Sequence, residues 1–303
     1  MLIKIKWKEK FTIRSGVAIG LLLTSFFASA AETISFTMKY SGGSKPSCDE
    51  AQNITGVEPA DSNKHPVFIY TVGTDEKYDN AMAMAAVNGM AARGYVAATV
   101  QYPNILFGNC DKLKSRSQCV YNEANPASAV NTLCSRASAD CSKGVVLGGF
   151  SQGALLATMA HDFNPNVQAV YGMGDGTTYV IYDLSSCMAA GNYSLSPDRL
   201  RLANGIHDDY LGPTAKGSNF QTRKVSGLDC PDGTNACYRP NGSGWYIIPD
   251  SEVEDGHADH CYQRHGGCVF GSQEKYLDEG WLTGTAPWEL NANLDWLTQF
   301  TTP

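Results

Sequence analysis

Four stretches of the chain are short, nearly continuous apolar runs: VFIYTVG at 67–73, YVAATVQ at 95–101, KGVVLGG at 143–149 and VQAVYG at 167–172. Runs of this length and β-branched content read as strands, and a strand with no polar face must be covered on both sides. Helical segments alternate with them. DNAMAMAAVNGMAAR, residues 79–93, is the strongest, with Asp79 or Asn80 as its cap and Gly94 as its stop. Further strands are expected at Leu200–Asn204 and Trp245–Ile248, and helices at Pro126–Ala137, Gln152–His161 and Asn291–Phe300. Residues 31–64 read as polar and turn-rich with one strand at Thr33–Tyr40, and the stretch after Gln101 reads as a disulfide-bearing loop. This alternation implies an α/β fold, a mostly parallel central sheet with helices on both faces and disulfide-stabilised loops. In such a sheet the ligand crevice lies beyond the carboxyl ends of the strands, so the residues just after each strand are the ones to inspect.

The first thirty residues stand apart from that pattern. Lys4, Lys6, Lys8, Lys10 and Arg14 precede an apolar stretch from Gly16 to Phe27, and Ala28-Ser29-Ala30 is a small-x-small cleavage signal. Residues 1–30 are therefore expected to be a signal peptide, and 31–303 a single domain of roughly 270 residues, secreted or periplasmic. Removal of the leader takes five basic groups and one acid from totals of 23 and 30, leaving 18 basic against 29 acidic side chains. An acidic surface without a Lys/Arg cluster argues against nucleic acid as a partner. No later stretch approaches membrane-spanning length, so stable insertion is not expected.

Ten cysteines, an even count, follow the leader. Disulfides are the default for an exported chain. Pairing neighbours in sequence gives Cys110–Cys119, Cys134–Cys141, Cys230–Cys237 and Cys261–Cys268, and leaves Cys48 with Cys187.

One strand end carries chemistry. GVVLGGFSQGALLA, residues 144–157, passes from strand to helix across Ser151, fenced by Gly149 and Gly153. Two small residues at that spacing permit a turn tight enough to expose the hydroxyl. A serine hydroxyl needs a base to become a nucleophile. Later strand ends supply the partners. NGIHDDYLG after the 200–204 strand offers Asp208, with Asp209 as alternate, to orient an imidazole. DSEVEDGHADHCYQRH after the 245–248 strand offers His260, with His257 as alternate; a Cys261–Cys268 bridge would support His260 from the adjacent position. For a developing oxyanion, backbone amides of Gln152 and of Thr74, in TVGTDEKYD after an earlier strand, are the candidate donors. His257, His260, His265 and Asp255 are also competent zinc ligands, but their spacing is not that of a helical zinc protease, and no cofactor or metal is called for.

GFSQG at Ser151, NGIHDD at Asp208 and ADHCY at His260 resemble, in chain order, the triad of the α/β-hydrolase superfamily. FIYTVGTDE followed by GFSQGA is similar to the oxyanion and nucleophile segments of its cutinase and secreted-esterase branch. The resemblance runs from about His65 to the C-terminus and implies an α/β-hydrolase fold and a serine esterase cleaving carboxylic esters through an acyl-enzyme. Its substrate is a small-molecule, lipid or polymeric ester. A serine peptidase or amidase on the same scaffold, and a non-catalytic binding protein with a hydrolase fold, are the alternatives. Gly174–Ser196 and Gly212–Ser243 are expected to shape the rim, the second as a surface stretch. Tyr70, Phe150, Tyr171 and Tyr210 flank the site segments; Tyr70 and Phe150 fit core packing best.

Overall fold

The apolar runs form the middle of a nine-stranded sheet. The computed structural model describes residues 32–43, 50–212, 215–268 and 276–302; the expected signal segment and Cys48 lie outside them. In chain order the elements are β1 (Thr33–Tyr40), β2 (Gln52–Pro59), β3 (Val67–Thr71), α1 (Ala81–Ala91), β4 (Val96–Val100), α2 (Cys110–Tyr121), α3 (Ala129–Cys134), β5 (Val145–Phe150) and α4 (Gln152–Thr158). Then come β6 (Val167–Met173), a two-stranded hairpin of β7 (Thr178–Tyr179) and β8 (Tyr182–Asp183), α5 (Ser185–Met188) and β9 (Leu200–Gly205). The chain continues through α6 (Ala215–Ser226), β10 (Ala236–Tyr238), β11 (Gly244–Ile248), α7 (Glu279–Thr283) and α8 (Leu290–Thr298).

The strand order is β1-β2-β4-β3-β5-β6-β9-β11-β10. Strands from β4 to β11 run parallel, while β1, β2 and β10 are antiparallel to their neighbours. Every residue of β3, β4, β5 and β9 is buried, as expected for strands covered on both faces. β3 and β5 are neighbours, yet the chain leaves β3 toward β4 on one side and β5 toward β6 on the other. Right-handed crossovers therefore send α1 and α4 to opposite faces, and the carboxyl ends of β3 and β5 bound a crevice. Thr71-Val72-Gly73 and Ser151 sit at those two ends.

Three segments depart from the sequence reading, for one physical reason: polar side chains do the docking. The expected loop after β4 contains α2, capped by Asn109, whose side chain accepts from the Lys112 amide at 3.2 Å. Its inward positions include Arg116, which donates to Gln152 Oε1 at 2.9 Å, and Ser117, which donates to the Leu156 carbonyl at 2.8 Å. The 212–243 rim contains α6, whose Ser218 donates to the Gly205 carbonyl and whose Gln221 Oε1 accepts from the Thr177 amide, at 2.7 and 2.8 Å. β2 lies in the stretch read as turns; its Glu58 is held by Arg136 and Ser138, at 2.7 and 2.5 Å.

The cysteine pairing is corrected in two places. Cys110 bonds to Cys187, bridging α2 and α5, rather than Cys110 to Cys119 or Cys48 to Cys187. Cys110 and Cys119 are nine residues apart on one helix, roughly 13 Å by helical rise, which no disulfide spans. Cys119 is itself disulfide-bonded. Cys134–Cys141, Cys230–Cys237 and Cys261–Cys268 are bridged. Among the described residues, no helix is long and apolar enough to cross a membrane.

Candidate active site

The glycines around Ser151 are explained by what stands against them. A Cβ at Gly153 would lie 2.1 Å from the Thr71 carbonyl oxygen, and one at Gly149 would lie 2.6 Å from the Gly153 carbonyl carbon. Only hydrogen fits at either position, so α4 starts directly against β3. Ser151 between them has φ 52° and ψ −123°, a conformation that costs a non-glycine residue on the order of 1–3 kcal/mol. Its amide donates to the Met173 carbonyl at 2.7 Å, which pins the turn to the end of β6. Ser151 is 7% exposed.

Asp208 follows β9 in a tight turn. Its Oδ2 accepts from Nδ1 of His260 at 2.7 Å, and its Oδ1 accepts from the amides of Tyr210 and Leu211 at 3.1 and 3.3 Å. Three donors thus hold a carboxylate that is fully buried. Asp209, one residue on, is exposed and takes no part.

His260 reaches Asp208 because its loop lies against the β9 end. A Cβ at Gly205 would meet the Ala258 and Asp259 carbonyl oxygens at 2.2 Å, and the His207 amide donates to the Ala258 carbonyl at 2.9 Å. The imidazole packs against Gly174, where a Cβ would be 2.6 Å from its Cε1. Phe150, Tyr210 and Tyr179 enclose the ring, with centroids 5.0, 4.7 and 5.9 Å away. Its Nε2 is buried and makes no hydrogen bond among the described residues. His257 instead points outward and stacks on His207 at 5.2 Å, and His265 pairs with Glu254. Asp255 accepts from the amides of His257 and Gly266, so the four zinc-competent residues of the sequence do not converge.

The loop after β3 closes the other side. A Cβ at Gly73 would be 3.2 Å from Ser151 Cβ, so this backbone touches the serine. Thr74 Oγ1 accepts from Gln152 Nε2 at 2.9 Å, joining the two residues read as oxyanion donors. The turn itself is braced from both ends. Asn104 donates to the Gly73 and Glu76 carbonyls at 2.7 and 2.8 Å, and Glu76 Oε2 accepts from the Gly73 amide at 2.6 Å. Glu76 also pairs with Arg264, which lies over Phe150 at 5.3 Å and stands four residues after His260. One carboxylate therefore ties the β3 loop to the segment bearing His260.

Glu76, Arg264 and Tyr179 were not read from the sequence. Nothing in a lone Glu or Arg announces a partner 188 residues away. Tyr179 sits in the β7–β8 hairpin facing Ser151; burial, followed by the charges of Asp208 and Asp175, holds its phenol well above its ordinary pKa and keeps it protonated. Of the aromatics named above, Phe150 and Tyr210 line the imidazole, whereas Tyr70 and Tyr171 are in the core. The rim carries apolar side chains in the open: Ile105, Leu106, Val180 and Ile181 are all exposed.

No family model matches the sequence, and no curated protein does. Among solved structures, the chain is similar to that of the esterase Est22, 15% identical over 64% of this chain and 68% of that one, with a TM-score of 0.43.

Proposed function

We propose that the chain is an exported serine hydrolase of carboxylic esters with an α/β-hydrolase fold, in which Ser151, His260 and Asp208 form the triad. The observation that carries this reading is the buried Asp208–His260 hydrogen bond of 2.7 Å, with the imidazole packed on Phe150, the residue before a serine held at positive φ. The order Ser, Asp, His along the chain agrees with that superfamily. Four disulfides in the described residues fit folding in an oxidising compartment after removal of residues 1–30.

In this mechanism Asp208 accepts a hydrogen bond from the Nδ1–H of His260, which keeps the proton on Nδ1 and leaves Nε2 with the free lone pair. Nε2 takes the Ser151 proton as Oγ attacks the ester carbonyl carbon. The carbonyl π pair moves onto oxygen, and the amides of Thr74 and Gln152 donate to it. Collapse of the tetrahedral adduct expels the alcohol, protonated by the imidazolium, and leaves the acyl-enzyme. Water, deprotonated by the same nitrogen, then releases the acid and restores Ser151. The Tyr179 phenol and the Phe150 and Tyr210 rings exclude bulk water from the imidazole, which strengthens each charge interaction.

The test is Ser151→Ala assayed on short p-nitrophenyl esters beside a matched peptide anilide. Ester turnover is expected to collapse with circular dichroism unchanged. Retained ester turnover overturns the mechanism, and anilide turnover exceeding ester turnover in the parent protein reassigns it to amides.

A further inference from the structure

The turn that presents Asp208 carries His207, and the loop that presents His260 carries a second histidine, His257, on its exposed side. His207 Nε2 stands 2.9 Å from Asp250 Oδ2, in the short 3-10 turn Asp250–Glu252 that follows β11. His257 stacks on the His207 ring at an interplanar angle of 16°. One ligand atom from each of His207, Asp250 and His257 lies within 4.8 Å of the others. The three come from two segments, His207 from the turn after β9 and Asp250 and His257 from the stretch after β11, so their convergence is a product of the fold and not of one local turn.

We propose that His207, Asp250 and His257 form a binding site for one zinc ion. Two imidazoles and a carboxylate are a borderline-soft donor set, which suits Zn²⁺ and disfavours Ca²⁺ and Mg²⁺, whose sites are built from oxygen. Tetrahedral geometry with Zn–N of about 2.0–2.1 Å needs ligand atoms roughly 3.4 Å apart. The His207–Asp250 pair is already close to that spacing, and the exposed His257 ring has only to swing inward. The side chains of His207 and Asp250 are 43% and 41% exposed, so the ion enters from solvent and water completes its shell.

The supports around the ligands are those of a held site. Asp250 Oδ1 accepts from the Ala258 amide at 2.9 Å, leaving Oδ2 for the ion. The Ala258 carbonyl accepts from the His207 amide at 2.9 Å, so the ligand-bearing backbones are bonded to one another. When His207 coordinates through Nε2, its remaining proton resides on Nδ1 and the ring stays neutral. The ion then fastens the strand end next to Asp208 to the loop three residues before His260. Its function is to hold those two loops together, and its binding does not depend on the reaction assigned to Ser151.

The experiment is calorimetric titration of the full chain, stripped with EDTA, with Zn²⁺ and separately with Ca²⁺, alongside thermal unfolding. Among the described residues no thiol competes, since each cysteine there is bridged. One Zn²⁺ per chain with a raised unfolding midpoint is expected, and no response to Ca²⁺. His257→Ala, at an exposed position, is expected to weaken zinc binding at least about tenfold. His207→Ala should do the same, while Ser151→Ala and His161→Ala bind as the parent does. In Co²⁺-loaded protein, visible d–d absorption should be lost with His257. Absence of saturable Zn²⁺ binding, or binding undiminished in His257→Ala, overturns the site. Should His207→Ala fail to fold, His257→Ala decides alone.

Discussion

Asp208 and His260, 52 residues apart in sequence, share a hydrogen bond of 2.7 Å in a position closed to solvent. The bond fixes which imidazole nitrogen keeps its proton. Asp208→Asn presents an amide that can donate to Nδ1 and so favours the wrong tautomer. Turnover is expected to fall by about 10³–10⁴-fold, because Asn retains the Oδ1 acceptor for the Tyr210 and Leu211 amides while spoiling the base. Asp209→Asn should stay within twofold of the parent. Steady-state kinetics on both variants checks the pair.

The elbow predicts a difference between two kinds of glycine. Gly153→Ala forces a methyl to 2.1 Å from the Thr71 carbonyl oxygen, whereas nothing lies within 4 Å of a Cβ at Gly94, where only the φ of 86° opposes a side chain. Gly94→Ala should cost about 1–2 kcal/mol. Gly153→Ala should cost about 3 kcal/mol or more, or prevent folding, since α4 cannot retreat from β3 without breaking the turn. Denaturant midpoints of the two proteins measure the gap.

Glu76 joins the β3 loop to Arg264. Both side chains are largely shielded, 10% and 12% exposed. Glu76→Gln keeps an acceptor for the Gly73 amide but removes the carboxylate charge that Glu76 presents to the shielded guanidinium, and should destabilise by about 3 kcal/mol. Adding Arg264→Met should recover part of that loss. Urea unfolding of the single and double variants reads the coupling directly.

Asp175, at the end of β6, is buried with one oxygen bound by Thr158 at 2.7 Å and the other without a partner. Burial raises its pKa from 3.8 to about 7. The folded protein thus prefers the protonated acid, so this group's contribution to stability is complete below pH 4 and is lost as pH rises through 7. The loss is at most about 4 kcal/mol. Asp175→Asn, uncharged at every pH, should flatten stability between pH 4 and 8 and exceed the parent at pH 8. Denaturant unfolding across that range tests it.

What the sequence disclosed, and what it hid, follows from which forces leave a local signature. Parallel strands must be apolar on both faces, so the runs at 67–73, 95–101, 143–149 and 167–172 announced themselves, and every strand end bearing a candidate followed. The steric demand at Gly149 and Gly153 was likewise local. α2 and α6 were hidden because Arg116, Ser117, Ser218 and Gln221 occupy inward positions, satisfied by distant acceptors that no periodicity encodes. The choice of His260 over His257 depended on which way a loop turns, and only the packing of Ala258 and Asp259 against Gly205 expresses that. Cys110 misled because neighbours in sequence pair only where the chain doubles back, and a helix does not.

The central claim is that the His260 imidazole activates Ser151. Intact-mass measurement after exposure to a fluorophosphonate tests it most directly, because the probe reacts only with a serine whose proton is being removed. One adduct per chain, mapping to the peptide that contains Ser151 and lost in His260→Ala, is the predicted result. An unlabelled parent protein, or labelling that persists at the same rate without His260, would contradict it.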